Sequence, residues 1–575
     1  MRWPRLTAEV LPLLTIISPL IGAATTVAMS RWNAPLVRPM ALSNSAMTLM
    51  LAIAAVGMCQ SAETDDPANA RIPVEPGITW LADPASEQPD NPAVRGMRIR
   101  LSFGVDGLSV WPALVLSLTV WAVLCGSGRL DAASFSSHCV WLMTSQALLL
   151  ASCFATDAVA ALVFLEMALL PIYVLIGTRG EEGRRTVAGA WWLWQMIGCS
   201  SSLVGVTLLA VSQPWMTSDM VAARGSALFD TSLLADSLRH SLAQSEAAWH
   251  LWGHLAPWGA ALLLIGFLIR LPVFPFLGWY QSTLVAAPPG VSAVIAVAFP
   301  LAAFSAWLRL GVPSFAADSA VAGILGTASL AGVLQSAFAL QSQTDLKRIM
   351  ATVSCILLGL AGVGLSFQSG DGMRGAWLLI LSQGLAVAGG MLLIQILESR
   401  CGTRELTRLN ALVKDSPRLT AVLVILLLGF AGIPVVSGFA ALHLQLWASS
   451  GAGWWMIAGL SVAIVGVATA AIQAFALVMT NPPPAASVSG ALLSSEARTD
   501  ISGSELAALA PILALLLLLN AAPTVVMKSC EPTFHRLFRR TEQRAVGSIQ
   551  TPPQTALAPF TVRDESTPEL DVRPN

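Results

Sequence analysis

Long apolar runs separated by short polar segments organise this chain. A hydrocarbon layer about 30 Å thick is crossed by roughly 20 apolar residues wound as a helix. Counted at that length, about fourteen runs stand out, near residues 9–29, 40–60, 105–126, 138–156, 158–178, 187–212, 256–280, 285–310, 319–342, 349–368, 374–397, 418–447, 453–480 and 505–528. A membrane barrel would need strands of about ten residues alternating in and out. The stretch "LAALAPILALLLLLNAAP" at 506–523 is too long and too uniformly apolar for that. The pattern predicts an all-α polytopic membrane protein.

Three longer polar segments interrupt the array, at 61–104, 213–255 and 481–504. The first and third read as extramembrane loops. Within the second, "ALFDTSLLADSLRHSLAQSEAAW" at 227–249 spaces its apolar residues as a helix does. Either a helix lying on the bilayer surface or a plain extramembrane helix fits it. The tail from Glu542 onward is rich in proline, threonine and charge, a composition that predicts disorder.

Composition sharpens this picture. A soluble chain of 575 residues would divide into several domains, but 55% hydrophobic and only 11% charged residues reject a soluble reading. Mean hydropathy of +0.69 agrees. Thirty-two Lys plus Arg nearly balance thirty-three Asp plus Glu, with no basic block of the kind nucleic acid needs. The eight cysteines are scattered, without metal-ligand or disulfide-framework spacing. No glycine-rich phosphate loop follows a strand pattern. Chemistry is left to protonatable side chains within lipid.

With fourteen crossings both termini share a side. The short loops on the opposite side carry Arg31, Arg38, Arg129, Arg179, Arg184, Arg185, Lys347, Arg348, Arg400, Arg404, Arg408, Lys414 and Arg418, which the positive-inside rule places in the cytoplasm. The termini are then expected outside, although Arg2, Arg5, Arg536, Arg539 and Arg540 pull weakly the other way. The first apolar run is longer than a typical signal-peptide core and is taken as a retained helix.

A charge near the middle of a span costs about 2.5–3.5 kcal/mol on insertion scales, so intramembrane ionisable groups are functional candidates. Glu166 lies in "AVAALVFLEMALLPIYVLIG" and Arg270 in "WGAALLLIGFLIRLPVFPFLGW". A dry setting favours the neutral acid and a nearby cation favours the carboxylate, so a movable opposite charge switches proton occupancy. A fixed ion pair tethering two helices is the alternative. Pro171 removes the donor for the carbonyl of Met167, beside Glu166; Pro272 and Pro275 do the same for Leu268 and Leu271, beside Arg270. Such carbonyls are tolerated at membrane depth where they line hydrated space, or at a dry packing kink. The broken seventh span has a counterpart in the twelfth, at Gly432, Pro434 and Gly438, and paired breaks point to an inverted-repeat transport pathway. His443 follows the second break and is a candidate proton relay, with packing as the alternative. Asp345, Lys347 and Arg348 sit between two spans, where a coupling role competes with a solvated charge cluster.

At these segments the chain resembles the antiporter-like subunits of respiratory complex I, most closely subunit M. The matching strings run from "IRLSFGVDGLSVWPALVL" (99–116) through "FLEMALLPIYVLIGTRG" (164–180), "RLPVFPFLGW" (270–279), "QTDLKRIMATVS" (343–354) and "GAWLLILSQGLAVAGGMLL" (375–393) to "GIPVVSGF" (432–439). The resemblance implies two inverted five-helix repeats, over 131–312 and 313–482. Three helices and the 61–104 loop precede them within 1–130, a loop and last helix follow at 483–530, and a polar tail occupies 531–575.

The same resemblance implies a proton-translocating subunit of an NADH:quinone oxidoreductase. No cofactor or redox centre is expected in this chain; flavin, iron–sulfur clusters, NADH and quinone would belong to partner subunits. A subunit of a multi-subunit cation/proton antiporter, or a diverged structural paralogue, is the alternative. The setting implied is a bacterial-type inner membrane.

Residue by residue, Glu166 matches the family's glutamate on the fifth span, whereas Arg270 stands where the family usually has lysine. Arginine stays protonated, so Arg270 can bias Glu166 without carrying protons itself. Leu301 and Leu442 replace a lysine and a glutamate, and Leu277, Leu357 and Gln383 replace histidines. Those replacements are expected to weaken a charged axis.

Overall fold

The structure is a computed structural model that describes residues 5–61, 72–73, 78–82, 98–128, 130–181, 183–212, 229, 231, 234, 255–312, 319–408, 416–430, 438–449, 454–480 and 500–534. These residues fall in one compact unit, Met1–Leu537. The 227–249 helix and the disordered tail of the sequence reading lie outside the described residues, apart from Phe229, Thr231 and Leu234.

Among the described residues, twelve helical stretches are long and apolar enough to cross a membrane, and two shorter apolar helices, Ala256–Arg270 and Pro417–Leu426, begin the broken seventh and twelfth spans. The chain enters through α1 (Arg5–Trp32), a 3-10 turn at Ala34–Leu36 and α2 (Val37–Ser61). The segment read as a loop departs from expectation. It contains β1 (Ile72–Pro73), β2 (Ile78–Ala82), β3 (Arg98–Leu101) and β4 (Gly104–Val105), with β1 antiparallel to β4 and β2 antiparallel to β3. The string "RIRL" alternates polar and apolar residues, the period a strand prefers, but at four residues it is too short to stand out beside the long apolar runs.

The next five crossings are α3 (Gly107–Gly126), α4 (Ala132–Phe154), the pair α5 (Ala158–Met167) and α6 (Leu169–Arg179), α7 (Arg184–Ser212), and the pair α8 (Ala256–Arg270) and α9 (Leu277–Ala286). The eighth is α10 (Pro289–Ala306), which widens into a π turn at Trp307–Gly311. Then come α11 (Ser319–Leu340), α12 (Leu346–Ser366), α13 (Gly370–Cys401), the pair α14 (Pro417–Phe430) and α15 (Phe439–Ala448), α16 (Trp454–Thr480) and α17 (Gly503–Ala521), with a short helix over 523–534.

In chain order the middle ten crossings form two successive sets of five, α4 to α10 and α11 to α16. In the first, α4 packs on α5 and α6, and α7 lies along both halves of the broken helix, α8 and α9. In the second, α11 packs on α12, and α13 lies along α14 and α15. Five is odd, so the second set crosses in the opposite sense to the first. The sets meet where α10 lies along α13 and α9 meets α12.

Matching Gly-Ala-Trp strings, at 189–191 and 375–377, grip the shared helix from either side. Trp191 meets Phe299 edge-on with centroids 5.5 Å apart, and Trp377 stacks on Phe304 at 6.0 Å. Each such aromatic pair is worth about 0.5–1.5 kcal/mol beyond the area it buries. The apolar window of α13 is fully buried, against a quarter of that of α16, so α13 is central and α16 faces outward.

Candidate functional site

Two helix breaks place Glu166 beside Arg270. Glu166 is the penultimate residue of α5; the helix is interrupted at Ala168, next to the Met167 carbonyl that Pro171 leaves without its usual donor. Arg270 is the last residue of α8, and the chain turns through 271–276 before α9 resumes. One carbonyl does not behave as the sequence suggests. Leu268 O accepts from Val273 N–H at 3.2 Å, because the turn after Pro272 brings in a donor from one residue further on. It is not an exposed carbonyl.

Close helix packing sets the distance between the charges. Gly266 on α8 lies so near Ser202 and Gly198 on α7 that a Cβ would stand 2.2 Å from Ser202 Oγ and 2.6 Å from Gly198 O. A Cβ on Gly198 would meet Arg270 Cγ at 3.2 Å, so the arginine stem crosses α7 at its glycine. Arg270 Nη2 then lies 3.6 Å from Glu166 Oε2, with side-chain exposures of 4% and 25%. That distance is an ion pair and too long for a hydrogen bond. Arg270 Nε and Nη2 and Glu166 Oε2 have no hydrogen-bond partner among the described residues. The two groups attract across a gap with no direct hydrogen bond between them. Cys199 flanks it, its thiol 3.6 Å from Leu162 O.

A second charge group is denser than the sequence suggests. Asp345 caps α12, accepting from Lys347 N–H at 2.8 Å and Arg348 N–H at 3.3 Å. Lys347 is 1% exposed, and its Nζ donates to Glu181 Oε1 and to Ala287 O, both at 2.7 Å. Arg404 Nη1 donates to Glu181 Oε1 at 2.5 Å and to Glu398 Oε1 at 3.2 Å, while its Nε donates to Asp345 Oδ2 at 2.6 Å. The cluster ties the loop after α6 and the corner after α9, both from the first set, to the start of α12 and the chain beyond α13, from the second. It is a partly buried clamp in which Lys347 is enclosed while Glu181, at 41% exposure, still meets solvent. Burial pushes the Glu181 carboxyl up, and the hydrogen bonds from Arg404 and Lys347 together outweigh it and hold it below its ordinary range.

The remaining candidates separate. Gly438 begins α15 with φ of +65°, a backbone that disfavours any side chain there, as expected of a break. Gly432 and Pro434 lie outside the described residues. His443 is exposed, on the helix face it shares with Trp447 four residues on, while the buried face of α15 is marked by Gln445. Leu277, Leu301 and Leu357 are all buried and apolar, and Leu442 is half-buried.

Sequence reasoning missed Glu181 and Arg404 as partners, and also the pair Asp106–Arg309, 2.7 Å apart and largely buried. Asp106 precedes α3 and Arg309 sits in the π turn after α10. All four residues flank apolar runs, where a lone charge looks like an ordinary helix end. Only their meeting across 203 residues, for Asp106 and Arg309, marks them.

Residues 155–467 match the family described as NADH:quinone oxidoreductase/Mrp antiporter, TM. The chain is 27% identical over 389 residues to NADH-quinone oxidoreductase subunit 13 of Thermus thermophilus, covering 67% of this chain and 76% of that protein. It is 24% identical over 537 residues to subunit M of Rhodobacter capsulatus, covering 92% and 96%. Its fold superposes with a TM-score of 0.73 on a chain of respiratory complex I from Thermus thermophilus with bound NADH, at 21% identity over 92% of this chain and 99% of the other. The matched segment includes both helix breaks, Glu166, Arg270 and the Asp345–Lys347 clamp. The chain is therefore a member of the NADH:quinone oxidoreductase/Mrp antiporter family of multi-pass membrane proteins.

Proposed function

We propose that this chain is an M-type membrane-arm subunit of a complex I type NADH:quinone oxidoreductase, and that it moves protons through buried charges as electrons pass elsewhere in the assembly. The carrying observation is the pair Glu166–Arg270, 3.6 Å apart with no direct hydrogen bond between the two groups, at the breaks of two spans. A group that gains and loses a proton must feel a changing field. A cation close enough to stabilise the carboxylate, yet held by no direct hydrogen bond, supplies one when it shifts. Arg270 acts as that charge, and Glu166 is the proton carrier. Lys347, Asp345, Glu181 and Arg404 couple the two helix sets mechanically. Flavin, iron–sulfur clusters, NADH and quinone are assigned to partner subunits.

The repeats run over 131–312 and 313–482 in this reading. The loops after the fifth, ninth and eleventh spans carry the clamp and meet at one end of the bundle, which supports their sharing a side; their arginines and lysine assign that side to the cytoplasm. The termini then face outward, and the membrane is a bacterial-type inner membrane.

The test is the Glu166→Gln variant in the assembled complex. It is expected to lower the protons moved per electron while subunit composition stays normal. Unchanged coupling with normal assembly would remove Glu166 from the pathway. A cation/proton antiporter subunit is the second reading, since the family includes such proteins; sodium-dependent activity and copurification without flavin or iron–sulfur subunits would favour it. Buried Leu301 favours a third, a scaffold with weakened conduction, which predicts no coupling change in Glu166→Gln.

A further inference from the structure

Between the two helix sets lies a short row of neutral polar side chains. Tyr280 sits on α9, just past the seventh-span break; Ser354 is on α12 and Gln383 on α13. Tyr280 Oη and Ser354 Oγ are 2.7 Å apart, and Gln383 Nε2 donates to the same Ser354 Oγ at 2.7 Å. Tyr280 and Ser354 are 0% exposed and Gln383 is 1% exposed. Gln383 lies thirteen residues, about 20 Å at 1.5 Å per residue, from the start of α13 at Gly370, so the row sits near mid-membrane.

One atom of the row is unmatched. Gln383 Oε1 has no protein hydrogen-bond partner among the described residues. A buried acceptor left unpaired costs about 1–3 kcal/mol, and a buried water with two or more polar partners removes that cost. The hydroxyls of Ser354 and Tyr280 are each donor and acceptor, so they can pass a proton along without holding a charge. Lysine and carboxylate are absent from the row itself.

We propose that Gln383 Oε1 orients an internal water, and that this water, Ser354 and Tyr280 form a neutral relay carrying protons laterally between the eleventh and seventh spans. In one transfer an incoming hydronium gives a proton to the water as the water gives one to Ser354 Oγ and the serine hydroxyl proton passes to Tyr280 Oη. The phenolic proton passes to a second water on the far side of Tyr280, which leaves as hydronium. One proton enters, one leaves, and rotation of the hydroxyls restores the starting order. Gln383 exchanges no proton; its amide N–H fixes Ser354 and its carbonyl fixes the water, which makes it a positioning residue. This inference rests on the proton-translocating reading above and names the groups that extend it past Arg270.

The test uses the whole complex reconstituted in vesicles, with NADH-driven proton movement measured per electron. Tyr280→Phe and Ser354→Ala are each expected to lose proton movement while assembly stays normal, and Ser354→Thr, which keeps the hydroxyl, is expected to retain it. The double variant should be no worse than either single one, because a row breaks once. Gln383→Leu should also lose an infrared O–H band that shifts in H2 18O. Wild-type coupling in both Tyr280→Phe and Ser354→Ala would overturn the relay, as would additive losses in the double variant or an unchanged water band in Gln383→Leu. If one variant fails to assemble, the other carries the test. If Glu166→Gln alone lowers coupling, only the relay is wrong; if no variant lowers it, Glu166→Gln included, the proton-translocating reading falls as well.

Discussion

Lys347 Nζ stands 2.7 Å from Glu181 Oε1 across 166 residues of sequence, joining the second helix set to the first. The lysine is almost fully buried and the glutamate is half-buried, so the contact is neither a surface ion pair nor a fully desolvated one. Exposed pairs contribute about 0–1 kcal/mol, while breaking a fully buried pair costs about 3–5 kcal/mol. This pair falls between, because only one partner keeps its water.

Acid should open the clamp. Glu181 has a carboxyl held below its ordinary 4.5, since hydrogen bonds from Arg404 and Lys347 outweigh the effect of burial. A carboxyl depressed in the folded state stabilises the fold above its unfolded value and loses that contribution as pH falls through its folded value. Thermal stability in detergent is expected to hold at neutral pH and to drop below pH 4.5. Glu181→Gln should melt lower at neutral pH and show a shallower acid limb. An identical acid limb in the variant would show that Glu181 does not carry it.

Gly266→Ala tests the close approach of α7 and α8. The added Cβ would fall 2.6 Å from the Gly198 carbonyl, a backbone atom that cannot rotate away. Overpacking of this kind costs about 1–3 kcal/mol. A lowered melting temperature together with reduced coupling is expected, because separating the helices also moves Arg270 away from Glu166. Full stability and coupling would mean the spacing is not critical.

Arg270→Lys keeps the positive charge on a compact ammonium, and Arg270→Met removes it. If Arg270 acts through its field, the lysine variant should retain coupling and the methionine variant should lose it. Loss of assembly in both would mark a structural tether instead.

Asp106→Asn should destabilise the fold by about 3 kcal/mol, the lower end for breaking a buried ion pair. Arg309 would keep its charge beside a neutral amide in a setting where both side chains are largely buried. Differential scanning of the purified protein reads this directly, and a shift as small as that of an exposed charge substitution would contradict it.

His443→Gln is expected to leave proton movement per electron unchanged, since the histidine is exposed on the side of α15 that bears Trp447. A change in proton movement per electron in the variant would return it to the pathway.

Fourteen crossings, the breaks at Pro272 and Pro275, and the candidacy of Glu166 and Arg270 were all legible in the amino-acid order. The reason is that lipid offers the backbone no hydrogen bonds, so apolar length, proline and charge carry unusually direct structural meaning. Where polar residues lie outside lipid that constraint lifts, and the β1–β4 and β2–β3 pairings within 61–104 were hidden. Meetings between distant residues were hidden too. Glu181 with Lys347 and Arg404, Asp106 with Arg309, and Tyr280 with Ser354 and Gln383 come together only because five-helix sets pack face to face through α10 and α13. Sequence order determines which groups are too polar for the membrane; the tertiary packing decides which of them are close enough to exchange charge, because electrostatic and hydrogen-bond energies depend on separation in space.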